Sequence, residues 1–105
     1  MTASDFITIG IEGIDTNLSF SNALEHLKSG QKMARSGWNG KGMFVYLVSA
    51  GNYPAKMPSI QGVFKDDEVP YGAYLAMKTA QGFVVPWLAS QTDLLENDWY
   101  VVGEE

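Results

Sequence analysis

Four polar residues lie between two tryptophans near the C-terminal end of the chain, and their types can bind anions and hydroxyl groups. The tryptophans are Trp87 and Trp99, and the polar residues are Ser90, Gln91, Thr92 and Asp93. Ser90 and Asp93 have the spacing of a capping box, in which each side chain accepts a backbone N–H at the start of a helix. A helix start also binds anions and hydroxyl groups. The stretch therefore predicts a helix that begins at Ser90, and it leaves open whether the neighbouring side chains also hold a ligand.

A second group of candidate residues surrounds Trp38, in a segment rich in glycine. It consists of Arg35, Trp38, Asn39, Gly40 and Lys41. The amides of a glycine-rich turn can face a phosphate, and an indole ring can stack on a base. The spacing matches neither of the standard nucleotide-binding loops, so Trp38 could instead be a core residue at the entrance of a hairpin. Arg35 could supply a positive charge, although we expect a lone arginine to be exposed to solvent.

The sequence offers no group of residues with the chemistry of a catalytic centre. It has no cysteine, which excludes disulfides, thiolate metal sites and cysteine nucleophiles. The single histidine, His26, lies beside Leu27 in an amphipathic segment, where histidine is usually a surface or packing residue. The acidic run 66–68 is typical of a solvated loop. We therefore predict neither an enzyme, nor a metal site, nor a cofactor.

The length and the charge of the chain restrict its size and its partners. At 105 residues it can form a single domain, 1–105, with one modest core. Its net charge of −5 disfavours long nucleic acid, because that affinity needs clustered lysine and arginine. A small phosphate ligand is still compatible with this charge, if backbone amides and one or two cations form the site. Neither a basic leader nor a membrane-spanning apolar run is evident, so we expect a cytoplasmic protein without membrane partners.

The periodicity of the apolar residues predicts an α+β fold with a mainly antiparallel sheet and two helices. The longer helix is amphipathic and covers about 20–29. Ser19 or Ser21 can cap its start, and Gly30 suits its end. The shorter helix covers about 90–97.

Turn signals and strand patterns account for the rest. Asn39-Gly40 predicts a tight turn between two strands, because both residues tolerate positive φ. We also predict a hairpin with its tip at 80–82 and a closing strand at 99–102. Residues 49–72 predict a long loop, rich in glycine and proline.

Residues 43–48 predict a strand that is apolar on both of its faces. In a chain this short, one long helix cannot cover both sides of a sheet. We therefore expect a second copy of the chain to cover the other side, which makes the protein a homo-oligomer.

Two segments centred on the tryptophans together resemble a known phage protein family. Residues 34–48 are ARSGWNGKGMFVYLV and residues 77–99 are MKTAQGFVVPWLASQTDLLENDW. In this order and spacing they resemble the second type of Thoeris anti-defence protein, a family first catalogued as a domain of unknown function. The resemblance covers about 20–102. It leaves 1–18 as an N-terminal extension, predicted to be a strand and a turn, beside a family core at 19–103.

The resemblance implies a nucleotide sponge and not an enzyme. Thoeris defence makes a cyclic ADP-ribose isomer as an alarm signal, and proteins like this one bind such a signal, of the glycocyclic ADP-ribose class, without cleaving it. The resemblance also implies a likeness to homotetramers with pockets where subunits meet, acting in the host cytosol during phage infection. For some members it implies a separate site for the cyclic oligonucleotides of CBASS defence.

The residues and the resemblance together predict a ligand site built from both motifs. Adenine would stack on an indole. The pyrophosphate would bind the amides of Asn39, Gly40 and Gly42, with Lys41 or Arg35 as countercharge. Ribose hydroxyl groups would bind Thr92 and Asp93. Two alternatives stay open: a nucleotide-degrading enzyme, which needs a base or a metal, and a phage structural or assembly protein, in which the tryptophans only pack. The predicted ligand-binding residues are Trp38, Asn39, Gly40, Lys41, Arg35, Trp87, Ser90, Gln91, Thr92 and Asp93.

Overall fold

The computed structural model describes residues 15–103, which form the predicted α+β fold. The elements in chain order are α1 (Phe20–Lys28), β1 (Met33–Arg35), β2 (Phe44–Val48), β3 (Gly51–Pro54), β4 (Glu68–Tyr71), β5 (Tyr74–Lys78), β6 (Val84–Pro86), α2 (Gln91–Leu95) and β7 (Trp99–Val101). Short 3-10 turns at Pro58–Ile60 and Lys65–Asp67 lie between β3 and β4. No helix in the described part of the chain has the length and apolar character to cross a bilayer. The strand predicted within 1–18 lies outside the described residues.

Five strands form one antiparallel sheet in the order β6-β5-β2-β1-β7. β2 pairs with β5 over its whole length. The closing strand β7 returns to lie beside β1, and this places Trp99 directly opposite Arg35. The return of β7 brings the residues just before it next to the segment around Trp38, where both Asp93 and Asp98 bind Arg35.

The core lies between α1 and one face of this sheet. Ser19 caps the helix, because its Oγ accepts the N–H of Asn22 at 3.2 Å. Ala23 and Leu27 are four residues apart and therefore lie on the same side of α1, where both are completely buried. They pack against the buried side chains of Met33, Val45 and Trp99.

The opposite face of the sheet carries the remaining apolar side chains of β2. Phe44, Tyr46 and Val48 alternate with the buried Val45, so they point away from α1, and they are only half-buried. The strand is therefore apolar on both faces, as predicted. A second copy of the chain on this face stays a prediction.

The expected tight turn at Asn39-Gly40 is wrong. β1 and β2 are joined by a longer segment, residues 36–43, which we call the Trp38 loop. The positive φ in this loop belongs to Gly42, at +74°. Gly40 is needed for a different reason, because a Cβ atom there would lie only 2.9 Å from Ala80 Cβ. The Trp38 loop therefore packs closely against the β5–β6 hairpin instead of turning sharply.

Residues 49–72 are not the long loop that was predicted, because they contain β3 and β4. These strands pair with each other and form a ribbon separate from the larger sheet. The base of the ribbon is closed by Ala55, whose N–H donates to Asp67 O at 2.8 Å. Of the residues in the two strands only Val69 is buried. An exposed ribbon has no alternating apolar pattern, and this is why the sequence pattern did not reveal it.

The hairpin predicted around 80–82 is confirmed. The N–H of Thr79 donates to Phe83 O at 2.7 Å, and the N–H of Gly82 donates to Thr79 O at 2.9 Å. Gly82 has φ of +96°, which glycine adopts without the steric cost of a Cβ atom. Ala80 at this tip is the residue that packs against Gly40 of the Trp38 loop.

Candidate functional site

Arg35 joins the two predicted motifs through ion pairs. Its Nη1 is 2.8 Å from Asp93 Oδ1, and its Nε is 2.8 Å from Asp98 Oδ1. Only 9% of Arg35 is exposed, so the expectation of a solvent-exposed arginine is wrong. The reason is tertiary: β7 lies beside β1, and carboxylates 58 and 63 residues further along the chain therefore reach the guanidinium.

Asp93 is the residue through which the start of α2 contacts the Trp38 loop. The predicted capping box is confirmed, because the N–H of Asp93 donates to Ser90 Oγ at 3.0 Å and the N–H of Ser90 donates to Asp93 Oδ2 at 2.9 Å. Asp93 Oδ1 accepts from Arg35 and also from Trp38 Nε1, at 3.2 Å. The backbone oxygen of Asp93 accepts from Trp99 Nε1 at 2.8 Å. Asp93 is 7% exposed, and both of its carboxylate oxygens have partners within the fold.

Arg35, Asp93 and Asp98 form a charged junction between β1 and the C-terminal segment. All three groups are stabilised in their ionised forms. Burial raises the pKa of Asp93, but hydrogen bonds from the Ser90 backbone, Arg35 and Trp38 outweigh it and leave that pKa below its ordinary value of 3.8. The hydrogen bond from Arg35 is the main cause that lowers the pKa of Asp98 below 3.8. The hydrogen bond to Asp98 in turn raises the pKa of Arg35. The ion pairs therefore persist throughout the neutral range.

These pKa shifts predict how stability depends on pH. A carboxylate with a lowered pKa in the folded state stabilises the fold fully above its unfolded pKa, and this stabilisation is lost as pH falls through the folded pKa. The free energy of unfolding should therefore fall as the pH drops below 3.8, the ordinary value for both aspartates. Urea unfolding at a series of acidic pH values measures this. Asp98→Asn should show a shallower fall, and a parallel fall in variant and parent would contradict the assignment.

Aromatic rings from both motifs form one cluster. The ring centroid of Trp99 is 5.3 Å from that of Trp38 and 6.0 Å from that of Trp87, in edge-to-face contacts. Trp38 and Trp87 contact each other at 6.4 Å, and Phe20 completes the cluster at 5.5 Å from Trp99. Trp99, in the predicted closing strand, is fully buried, whereas Trp38 and Trp87 are half-buried. Both half-buried indoles therefore keep ring surface that a planar ligand can contact.

A cleft of about 550 Å³ opens beside this cluster. Five of the predicted residues line it: Arg35, Trp38, Asn39, Gly40 and Lys41. Phe44 and Tyr100 contribute its aromatic wall. Their strand positions place both rings on the face of the sheet opposite α1. The cleft thus combines aromatic surface with the glycine-rich loop and a lysine, and its volume lies in the range that small-molecule sites occupy.

Comparison with known proteins places this arrangement in a family. A family model described as the Thoeris anti-defense 2-like domain matches residues 18–102. The chain is also 40% identical over 88 residues to Thoeris anti-defense 2 of Bacillus phage SP01, an alignment that covers 84% of this chain and 98% of that protein. The chain belongs to the Thoeris anti-defense 2-like family. The resemblance seen in the two tryptophan segments is therefore confirmed, and with it the assignment to a family of phage anti-defence proteins.

This member of the Thoeris anti-defense 2-like family has lysines beside the cleft despite its acidic composition. Lys32 Nζ is 5.3 Å and Lys78 Nζ 5.7 Å from the centroid of the Phe44 ring. Lys78 Nζ also donates to Gly42 O at 3.0 Å, which fixes it against the Trp38 loop. With Lys41 and Arg35, which line the cleft, four of the seven basic residues lie in its lining or beside the Phe44 ring. Clustered lysines make the potential at this place more positive than the net charge of −5 alone implies.

The second motif stands apart from the lining of this cleft. Ser90, Gln91 and Thr92 are exposed at the start of α2, and Trp87 reaches the site only through its contact with Trp38. Asp98 was not among the predicted site residues, because no spacing rule connects it with Arg35, which it binds. Phe44 was predicted only as a strand residue, and its ring also lines the cleft.

Proposed function

We propose that this protein binds a cyclic ADP-ribose-derived signal of the glycocyclic ADP-ribose class and sequesters it without cleaving it, which blocks activation of the Thoeris effector. The observation that carries this proposal is the cleft beside Trp38, where an aromatic wall, a glycine-rich loop and a lysine meet. Family membership supports the anti-defence role, and the relative from Bacillus phage SP01 is named for it.

The cleft offers partners to the adenine and to the pyrophosphate of such a ligand. The half-buried Trp38 and the ring of Phe44 suit the adenine, since stacking on an aromatic side chain contributes about 1–3 kcal/mol per base. The amides of the Trp38 loop and Lys41 suit the pyrophosphate. Arg35 lines the cleft, but its Nε and Nη1 are paired with carboxylates, so Lys41 is the freer countercharge. Thr92 does not line the cleft, and Asp93 contributes by accepting a hydrogen bond from Trp38 Nε1.

The proposal includes a homo-oligomer, a tetramer, with the ligand bound where subunits meet. The cleft is lined in part by Ala34, Phe44 and Tyr100, whose positions lie on the face of the sheet opposite α1. A second copy on this half-buried face would therefore also close the cleft, and with it exclude water from the ligand. Light scattering on the purified protein measures the oligomeric state directly, and a monomer at working concentration would rule this part out.

A retention experiment tests the function. The protein is incubated with a glycocyclic ADP-ribose-class nucleotide, free ligand is removed by filtration, and the protein is then denatured by heat. A sponge requires a binding free energy of about −10 kcal/mol or better to clear a submicromolar signal. Release of intact nucleotide only after denaturation supports sequestration, a changed product would make the protein an enzyme, and no retention would contradict the proposed ligand. Cyclic oligonucleotides of CBASS defence are tested in parallel as the second ligand class of this proposal.

Replacing Lys41 should weaken binding specifically. Lys41 is exposed and lines the cleft, so Lys41→Ala removes a charge-assisted contact to the pyrophosphate without disturbing the core. We expect about tenfold weaker binding, the loss typical of one hydrogen bond to a charged group. Isothermal titration calorimetry measures the change.

The matched control is Lys56→Ala, because Lys56 is also exposed but lies just after β3, in the segment that connects the two strands of the separate ribbon. It should bind as tightly as the parent. If both variants lose affinity equally, the effect comes from net charge and the cleft is not the site.

A further inference from the structure

Asp98 contacts the Trp38 loop at the point where the loop begins. Its Oδ2 accepts the N–H of Gly37 at 2.9 Å, and its backbone oxygen accepts the N–H of Ser36 at 3.0 Å. Its carboxylate also accepts from Nε of Arg35 at 2.8 Å and from Nη2 at 3.3 Å. The turn is closed by Trp38, whose N–H donates to Arg35 O at 3.1 Å. Asp98 therefore holds the last residue of β1 and the first two residues of the loop at once.

The fit between Asp98 and the loop leaves no room for a side chain at Gly37. A Cβ atom there would lie 2.7 Å from Asp98 Oδ2 and 3.2 Å from Arg35 Nη2. Gly37 is not among the residues with positive φ, so alanine could adopt its backbone conformation. The close approach of the carboxylate is thus the reason for glycine at this position.

We propose that Asp98 is the positioning residue of the candidate site: it fixes the Trp38 loop in the shape that presents Asn39, Gly40 and Lys41 to a ligand. Asp98 does not itself line the cleft, so it acts through the loop and not by contact. Its partner Arg35 is held from the other side by Asp93, which also binds Trp38 Nε1. The loop is therefore held between two carboxylates, one at its first turn and one at the indole. Its effect on binding rests on the proposed function, whereas its effect on the loop does not.

Two variants break this contact in different ways. Asp98→Ala removes the carboxylate, and Gly37→Ala keeps it but forces it away from the Gly37 amide. Hydrogen exchange of the loop amides, followed by NMR without any ligand, should become at least about tenfold faster in Asp98→Ala, because a hydrogen bond to a charged group is lost. Gly37→Ala should change exchange in the same direction. The amides that pair β2 with β5 contact neither residue. Their exchange should change only as much as the change in global stability requires.

Leu27→Ala is the control for a general loss of stability. Leu27 is completely buried in α1 and lies outside the cleft, so its loss should destabilise the fold without accelerating loop exchange selectively. Binding of the same glycocyclic ADP-ribose-class nucleotide, measured where each variant is folded, should weaken about tenfold in Asp98→Ala and remain unchanged in Leu27→Ala.

The exchange and binding measurements separate the two hypotheses. Unchanged loop exchange in Asp98→Ala and Gly37→Ala overturns the positioning role, whatever the ligand. Faster loop exchange with unchanged affinity overturns it as well, because the ligand would then not depend on the shape of the loop. If the parent retains no nucleotide, the proposed function fails, while selectively faster loop exchange still supports Asp98 as the residue that fixes the loop.

Discussion

Asp93→Ala is expected to lower the free energy of unfolding by about 3–5 kcal/mol, the cost of removing one partner from a buried ion pair. Arg35 would keep Asp98 but lose the 2.8 Å bond from Nη1. Trp38 Nε1 would lose its acceptor, and the start of α2 would lose half of its capping box. Because domains of this kind are stable by only about 5–15 kcal/mol, the variant should be partly unfolded in mild denaturant. Urea unfolding followed by tryptophan fluorescence measures the change.

Two comparisons identify the cause of this loss. Glu25→Ala removes an exposed carboxylate from α1 and should change stability little. Arg35→Met combined with Asp93→Ala removes both partners, so the double variant should lose less than the sum of the two single losses. If Asp93→Ala behaves like Glu25→Ala, the buried junction contributes nothing to stability. Ligand binding by Asp93→Ala is measured without denaturant, where the variant is folded, so that a loss of binding reports on the site and not on unfolding.

Trp99→Ala is expected to cost a comparable amount, about 3–5 kcal/mol, which is typical of truncating a large aromatic side chain in a core. Trp99 is completely buried and its ring contacts those of Phe20, Trp38 and Trp87. Its Nε1 also donates to the backbone oxygen of Asp93, so the truncation leaves a buried acceptor without its donor. Thermal and urea unfolding of the variant measure the loss.

The matched control for Trp99→Ala is Trp87→Ala. Trp87 belongs to the same aromatic cluster but is only half-buried, so its truncation should cost clearly less. Trp87→Ala should also affect ligand binding, because the ring centroid of Trp87 is 6.4 Å from that of Trp38. Equal destabilisation by the two variants would mean that burial does not determine the contribution of these rings.

The same few side chains thus support the fold and the candidate site. Asp93 and Asp98 hold Arg35, and through it they hold the loop that carries Asn39, Gly40 and Lys41 to the cleft. A tight binder benefits from such a rigid loop, because less conformational entropy is lost when the ligand binds. For the proposed anionic ligand, the lysines near the cleft would offset the negative net charge of the chain.

The elements that depend on neighbouring residues were predictable from the sequence. Ser19 and Ser90 cap helices through hydrogen bonds to residues three positions away, and Gly82 turns a hairpin through bonds to adjacent residues. The apolar pattern of β2 likewise predicted a strand with two apolar faces. The two tryptophan segments carried enough specific residues to indicate the family, which the comparisons confirm.

Only the tertiary structure decided how the candidate site is assembled. The burial of Arg35 depends on Asp93 and Asp98, which lie 58 and 63 residues further along the chain. No local pattern encodes that distance, because it arises when β7 returns to pair with β1. The same strand pairing brings Asp93 into hydrogen-bond contact with Trp38 Nε1. As a result, residues of the first motif, not of the second, line the cleft. Local hydrogen bonding determined the elements of this protein, whereas strand order determined which of their side chains meet.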